Sequence, residues 1–352
     1  MPNSHPHVDI VIPNFNGVEF LDVCLRSLAR QTYSFFTIIV VDNGSVDSSL
    51  EFIRTRYPLV HLISWPRNKG FSPAVNAGIS AGASPLVFLL NNDTELASDC
   101  LEQLVNTSIL QKEYDFFAAK MINYSERHLL DGAGEGFLRG GVGYRLGTME
   151  SDDGFYSQPG KAFGACAGAA MYRRELFEAV GLFDEDFFAY LEDVDFNFRA
   201  NSRSKKCYYV PEARVFHIGS ATSGSKINDF TVRLSTRNNL SVLVKNYPLV
   251  LFFRFAPAIL VYQFAWLFFV VKKHQFFAYL RGVAEFISQL PVMTRKRKRM
   301  LAEKTVSSDD LATICLSAEQ EVMRSIMRRR QAQGKSNWLL SLYTRLFLPP
   351  DR

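Results

Sequence analysis

Cysteine is scarce and unpatterned. The 352 residues hold five, Cys24, Cys100, Cys166, Cys207 and Cys315, with no CxxC pair. An odd, scattered set excludes a complete disulfide framework, and a reducing compartment is the expectation. The opening MPNSHPHVDIVIP lacks a charged stretch followed by a long apolar run. No secretory leader is read there, so the start of the chain is expected in the cytosol. An excess of one charge is also missing from the body. From Arg295 to Arg352 there are 13 Lys+Arg and 6 Asp+Glu, which leaves 27 basic and 29 acidic residues in the preceding 294. A near-neutral body excludes a nucleic-acid-binding core. The basic tail suits an anionic surface, either lipid headgroups or a partner, or is a solvated helical face.

What is present describes a folded chain. Hydrophobic residues make up 47% and charged residues 21%, so disorder is not expected. The length leaves room for a core of ~200–250 residues and an appendage. Short apolar runs alternate with helical patterns. Val8–Pro13, Thr37–Asp42, Val60–Ser64 and Pro85–Leu90 read as strands. Leu21, Cys24, Leu25 and Leu28 share one helical face, another helix reaches about Tyr57, and Ser72-Pro73 has the form of an N-cap opening a helix to Gly82. This alternation predicts an α/β fold, a mainly parallel sheet flanked by helices. Ligands of such sheets bind beyond the C-terminal strand ends. Polar groups recur there: Asn14 and Asn16, Asp42-Asn43, Arg67-Asn68-Lys69, and Asn91-Asn92-Asp93. The Gly-rich stretch Asp131–Gly147 does not run from strand to helix at phosphate-loop spacing, and is read as a flexible loop or loose hairpin near an acceptor.

Leu249–Val271 is 23 residues long with one charge, Arg254. It is long enough to cross a bilayer. Yet Pro257 interrupts it, an amphipathic stretch with Phe276, Leu280, Val283, Ile287 and Leu290 follows, and then RKRKR (Arg295–Arg299). One crossing would put that cluster opposite a cytosolic body, against the positive-inside tendency. Helices lying in the cytoplasmic leaflet, with the cluster on anionic headgroups, are therefore preferred to a single span. Pairing of these helices between subunits of a homo-oligomer is the non-membrane alternative. Four segments result: 1–97 and 98–248 as the two halves of a catalytic domain, 249–294 as membrane-associated helices, and 295–352 as a basic helical tail.

Six motifs occur in order: VIPNFNG (Val11–Gly17), VVDNGSVDSS (Val40–Ser49), NKGFSPAVNAG (Asn68–Gly78), LLNNDTEL (Leu89–Leu96), Gly168–Arg199 with its YLEDVDFNFR end, and VPEARVFHIGSAT (Val210–Thr222). Over residues 8–248 the chain resembles the family 2 glycosyltransferases of GT-A fold, especially bacterial rhamnosyltransferase-like members. The resemblance implies a GT-A nucleotide-diphospho-sugar transferase fold, a nucleotide-sugar donor, a divalent metal, Mg2+ or Mn2+, and inversion at the anomeric carbon. It further implies L-rhamnose from dTDP-rhamnose, passed to a lipid-linked or polysaccharide acceptor in surface-glycan synthesis at the cytoplasmic face of the plasma membrane. A galactofuranosyl- or N-acetylhexosaminyl-transferase using a UDP-sugar is the alternative. A sugar-phosphate nucleotidyltransferase would want a basic Gly-rich loop after the first strand, where this chain has NFNGVEF. An inactive membrane scaffold would not need Asp42, Asp93, Asp193 and His217 together.

The residues carry that chemistry. Asp42 can accept from the N3–H that uracil and thymine offer, or cap an Asx-turn. Pro13, Asn14 and Asn16 would wall base and ribose, Arg67 and Asn68 reach ribose or diphosphate, Gly70 admits close backbone approach, and Asn92 joins the donor set. Asp93 is the expected metal and phosphate anchor. The family often has Asp-x-Asp there, and Asn91-Asn92-Asp93 has one carboxylate fewer; substrate phosphates can complete an octahedron. His217 matches the family's later histidine ligand. Glu192-Asp193 is the candidate catalytic pair. On a helix, Asp193 and Asn197 share one face, and Glu192, Asp195 and Arg199 another. By spacing alone, either Asp193 faces substrate while Glu192 and Asp195 pair with Arg199, or all are surface ion pairs; the resemblance to the family implies Asp193 as the base. Arg237-Asn238 and Lys245-Asn246 are placed to meet a lipid diphosphate.

Overall fold

The computed structural model describes residues 5–219 and 227–350. The end of the last motif, 220–222, lies outside the described residues. The chain begins β1 (Val8–Asn14), α1 (Val18–Ala29), β2 (Phe36–Asp42), α2 (Ser49–Arg56), β3 (His61–Ser64), α3 (Phe71–Ala81) and β4 (Leu86–Leu90). β1 pairs in parallel with both β2 and β4, and β2 with β3. Valine and isoleucine fill β1 from Val8 to Ile12, all buried, as a central strand covered on both faces requires. Its one carboxylate, Asp9, is 3% exposed and meets Arg174 Nη2 at 2.7 Å and Ser84 N at 2.8 Å.

The second half is mixed rather than parallel. It comprises β5 (Thr94–Leu96), α4 (Cys100–Leu110), β6 (Phe116–Asn123), β7 (Leu130–Ala133), β8 (Glu135–Leu138), β9 (Val142–Arg145), β10 (Gly160–Ala162), β11 (Ala169–Arg173), α5 (Arg174–Val180), α6 (Glu192–Ser202) and β12 (Cys207–His217). β11 enters antiparallel between β4 and β6, and β12 runs parallel to β6. The main sheet order is β10-β12-β6-β11-β4-β1-β2-β3.

Two local readings change. Ser72 does not cap α3. Gly70 does, at φ 103°, and Ser72 lies inside the helix with its hydroxyl buried. The amides of Phe71 and Ser72 donate instead to the carbonyl of Phe188, at 2.5 and 3.3 Å. The Gly-rich stretch is not loose: β8 and β9 form an antiparallel hairpin, Glu135 opposite Arg145. Its glycines admit close neighbours. A Cβ at Gly136 would lie 2.4 Å from Val322 Cγ2, and one at Gly140 2.4 Å from the Tyr262 ring.

Those neighbours belong to the C-terminal helices, α7 (Asp229–Asn246), α8 (Leu249–Lys272), α9 (Phe276–Ala302), α10 (Ser308–Ala332) and α11 (Trp338–Phe347). Phe137, Phe163, Val194 and Phe198 share one core with Tyr247, Leu251, Phe255, Met300, Leu311 and Cys315. Arg139 pairs with Glu319, which is 1% exposed. α9 runs unbroken across position 294, so the basic run is its last stretch. That run is split: Lys296 turns inward to Asp184 and Asp186, and Arg297 donates to Val244 O at 2.7 Å. Arg295, Lys298 and Arg299 remain exposed. The expectation that the whole cluster faces outward is corrected: only these three do, and Arg299 pairs with Glu303 at 2.8 Å.

Candidate active site

Three of the four polar strand ends are joined directly. Asn14 Nδ2 donates to Asp42 Oδ2 at 2.9 Å, and Asn92 Nδ2 donates to Asn14 Oδ1 at 2.7 Å. All three are buried. Gly17 completes this close approach, since a Cβ there would lie 2.0 Å from Asn92 Nδ2. The fourth end joins through Asn43, which donates to Asn68 Oδ1 at 3.0 Å and to Gly70 O at 2.9 Å. Asn16, at φ 50°, is exposed and accepts from Val46 N at 2.8 Å. Pro13 is half-buried, and Arg67 is exposed on the rim.

Asp42 has no exposed surface, and its Oδ1 accepts from Ser45 N at 3.0 Å. Of its two readings, the turn cap is the one occupied here.

Asp93 follows β4, and the β5–β12 pairing sets Thr94 opposite His217. The main chain locks the approach, with Ile218 N on Asp93 O at 3.0 Å. His217 Nε2 lies 3.4 Å from Asp93 Oδ1, a buried oxygen without a hydrogen-bond partner. On the other side of the ring, Nδ1 meets Asp131 Oδ2 at 2.7 Å. Asp131 thus holds Nδ1 as a donor, the role an outer carboxylate plays for a ligating histidine, and a cation at Asp93 would take the place of the Nε2 proton. Burial lowers the imidazole pKa, but the two carboxylates outweigh it and lift it to about 9. Among the described residues no group of three or more His, Cys, Asp or Glu side chains is set to hold a metal. Two donors, one of them the orphaned Asp93 oxygen, fit a cation that takes its remaining ligands from a diphosphate.

Asp131 also pairs with Arg145, whose charge reaches Glu135 and Asp193. Sequence reading passed over Asp131, Glu135 and Arg145 because they lie in the Gly-rich stretch. The alternation of Asp131, Ala133 and Glu135 was the available signal, a period of two that marks strands.

Leu191, at φ 64°, precedes α6 and places Glu192 and Asp193 in its first turn. Glu135 and Glu192 are 5% and 7% exposed, whereas Asp193 is half-buried and so the most accessible of the three. Asp193 Oδ1 accepts from Val194 N at 2.9 Å. Burial, opposed by backbone N–H groups and Arg145, leaves the Asp193 pKa raised. Burial and then the Asp193 charge push Glu192 up to about 8. Glu192 does not pair with Arg199, and its Oε2 has no hydrogen-bond partner. Arg199 meets Asp195 alone of that set, at 2.9 Å, and carbonyls around Val180 and Leu182 take its remaining N–H groups.

Arg237 and Asn238 are buried: Arg237 Nε donates to Asn238 Oδ1 at 2.8 Å, its Nη1 lies 3.8 Å from Glu285, and both side chains donate to the main chain. Asn238 Nδ2 donates to the carbonyls of Phe187, Ala189 and Tyr190, at 3.0, 2.8 and 2.7 Å. Arg237 Nη2 donates to Phe187 O at 2.6 Å. Lys245 bridges Asp184 and Asp195, at 2.6 and 2.7 Å, and Asn246 donates to Asp195 at 2.9 Å. These four residues were expected at a lipid diphosphate; they hold instead the segment that enters α6. Phe188, Tyr190 and Leu191 all have φ between 63° and 68° there, a conformation that costs non-glycine residues energy and needs such fastening.

Residues 9–181 match the model of glycosyl transferase family 2. The N-acetylglucosaminyl-diphospho-decaprenol L-rhamnosyltransferase of Mycobacterium tuberculosis is 26% identical over 240 residues, 61% of this chain and 77% of that one. Two solved structures are similar in fold. GalNAc-T7 with UDP, GalNAc and Mn2+ superposes with a TM-score of 0.55 at 18% identity, over 69% of this chain and 48% of that one. The mannosyltransferase PcManGT of Pyrobaculum calidifontis with GDP-Man and Mn2+ gives 0.51 at 14% identity, over 86% and 87%. A parallel first half and a second, mixed half agree with these likenesses: the chain belongs to the family 2 glycosyltransferases and has the GT-A fold.

Proposed function

We propose that this glycosyltransferase inverts the anomeric centre, passing a sugar, L-rhamnose from dTDP-rhamnose first among them, to a lipid-linked acceptor. One observation carries the reading. The orphaned Asp93 oxygen faces His217, while Asp193, the most accessible of three gathered carboxylates, lies across the Asp131–Arg145 pair from them. The acceptor hydroxyl attacks the anomeric carbon, the bond to the diphosphate breaks on the opposite side, and Asp193 takes the hydroxyl proton. Glu192, neutral beside it, leaves Asp193 to carry the negative charge. A divalent cation on Asp93 and His217 would offset the charge on the departing diphosphate. Asn14, Asn92 and Asn68 frame the donor side, with Pro13, Asn16, Arg67 and Gly70 at its rim. Rhamnose and a lipid-linked acceptor take their support from the mycobacterial relative; a UDP-sugar is the alternative donor.

The same proposal puts the enzyme at the cytoplasmic face of a membrane without crossing it. α8 is the one helix among the described residues long and apolar enough to span. It is not isolated: Gln263 donates to Asn239 at 2.7 Å and Trp266 to Thr236 at 2.9 Å. After α8, α10 returns to pack on the β8–β9 hairpin, so both flanks of α8 attach to one body. Phe253, Phe264 and Phe268 face outward, at 72%, 68% and 72% exposure. Such a surface suits an interfacial seat.

The test is metal-dependent release of nucleoside diphosphate from dTDP-rhamnose, UDP-galactofuranose and UDP-GlcNAc in the presence of acceptor. Asp193→Asn should lower turnover by about 10²–10⁴-fold and leave donor affinity intact. Asp93→Asn should remove the metal response. Comparable turnover in Asp193→Asn would end its role as base.

A further inference from the structure

Sugar transfer makes no use of the junction between α10 and α11. A cavity of about 580 Å3 opens there, walled by Ile326, Arg329, Arg330, Lys335, Trp338 and Leu339 among others. That is the size of a small-ligand site. Among the described residues no carboxylate lines it. The three cations meet neutral acceptors: Arg329 the carbonyl of Thr148 at 3.3 Å, Arg330 that of Ser336 at 2.6 Å, and Lys335 the Gln333 amide oxygen at 2.7 Å. Their charges are therefore not offset.

The second observation is the helix beside it. α11 has no buried residue. Trp338, Leu339, Leu342 and Leu346, exposed at 65%, 61%, 47% and 65%, follow one stripe of the helix. Apolar stripe, tryptophan and adjacent cations form the set that an anionic bilayer surface selects: rings and leucines enter the acyl boundary while the cations meet phosphate.

We propose that this cavity binds the phosphate headgroup of an anionic membrane phospholipid, with α11 lying in the bilayer surface. The inference rests on the membrane seat proposed above and adds a lipid class and a site to it. Charge complementarity selects the occupant, since a zwitterionic headgroup already balances its phosphate with its own ammonium and an anionic one does not. The site also adjoins the transferase. Thr148, which receives Arg329, donates its hydroxyl to Asp131 O at 3.0 Å, and Asp131 holds His217. A headgroup in the cavity would set the catalytic cleft at a fixed height above the membrane.

Flotation of the full chain with phosphatidylcholine vesicles, with and without phosphatidylglycerol, tests this. Wild type should prefer the phosphatidylglycerol vesicles. The triple variant Arg329→Gln, Arg330→Gln, Lys335→Gln should lose on the order of a hundredfold of that preference while still floating with neutral vesicles. Lys335→Glu is the control for misfolding, because its exposed ammonium touches only Gln333; it should lose part of the preference with unchanged melting. Bromine-labelled phosphatidylglycerol should quench fluorescence that Trp338→Phe removes. Equal preference in wild type and both variants overturns the proposal. So does a preference only for vesicles doped with polyprenyl diphosphate, which would assign the cavity to an acceptor. Displacement by inorganic phosphate beyond the effect of chloride at equal ionic strength would assign it to free phosphate. If wild type floats with no vesicle, the membrane seat itself falls; if it floats with all alike, only the headgroup site does.

Discussion

Glu192 carries a consequence that can be measured without substrate. Burial and the neighbouring Asp193 charge push its carboxyl up to about 8, far above the ordinary glutamate value of about 4.3. The folded protein therefore holds a proton that the unfolded chain releases. The stability this represents is present below the unfolded pKa and is lost as pH rises through the folded one. Urea midpoints should accordingly fall between about pH 5 and pH 8 in wild type and stay flatter in Glu192→Gln, which keeps the shape without the titration. A slope unchanged in the variant would place the proton elsewhere. At this scale the sequence was informative but incomplete. Asp93, His217 and Asp193 stand out by position in their motifs, since each ends a strand or opens a helix. Asp131 and Arg145 sit among glycines, where composition reads as turn, and only the fold aligns Asp131 with His217 across 86 positions.

Among the elements, α7 departs furthest from expectation. Its polar residues suggested a face open to substrate. In the structure Thr236, Arg237, Asn238, Asn239, Lys245 and Asn246 are all buried, because the surfaces they meet are themselves polar: bare carbonyls and paired aspartates. A sequence marks a polar helix but not whether its partners are water or main chain. Asn238→Ala would leave the Phe187, Ala189 and Tyr190 carbonyls without this donor, at about 1–3 kcal/mol for a buried group. The expected result is a lower kcat with little change in donor KM, because the strained run from Phe188 to Leu191 aims Asp193. A rise in KM alone would restore the substrate-binding reading. The strands fared better: the β1, β2 and β4 apolar runs were legible to within a residue or so because central strands have no other composition. β11 was not, since nothing in AAMYR tells antiparallel from parallel.

For the whole molecule, the main result is that the C-terminal third is not a detachable tail. The change in composition near position 249 is real, yet the helices that follow wall the same core as the second, mixed half. A single crossing by α8 would carry α10 across ~30 Å of hydrocarbon, away from Gly136 and Arg139. Protease applied to inverted and right-side-out vesicles should therefore cut α10–α11 and the catalytic domain from the same side; cleavage of the tail from the opposite side alone would establish a span. The close approach of Gly70 to Phe188 ties these scales together. Position 70 belongs by sequence to the donor half, yet a Cβ there would stand 2.7 Å from the Phe188 carbonyl oxygen that closes the first turn of α3. On the function proposed above, this contact would act as a shared hinge pin: a change in the seat of the nucleotide at this corner would also re-aim a carboxylate more than a hundred positions downstream, coupling donor fit to proton abstraction.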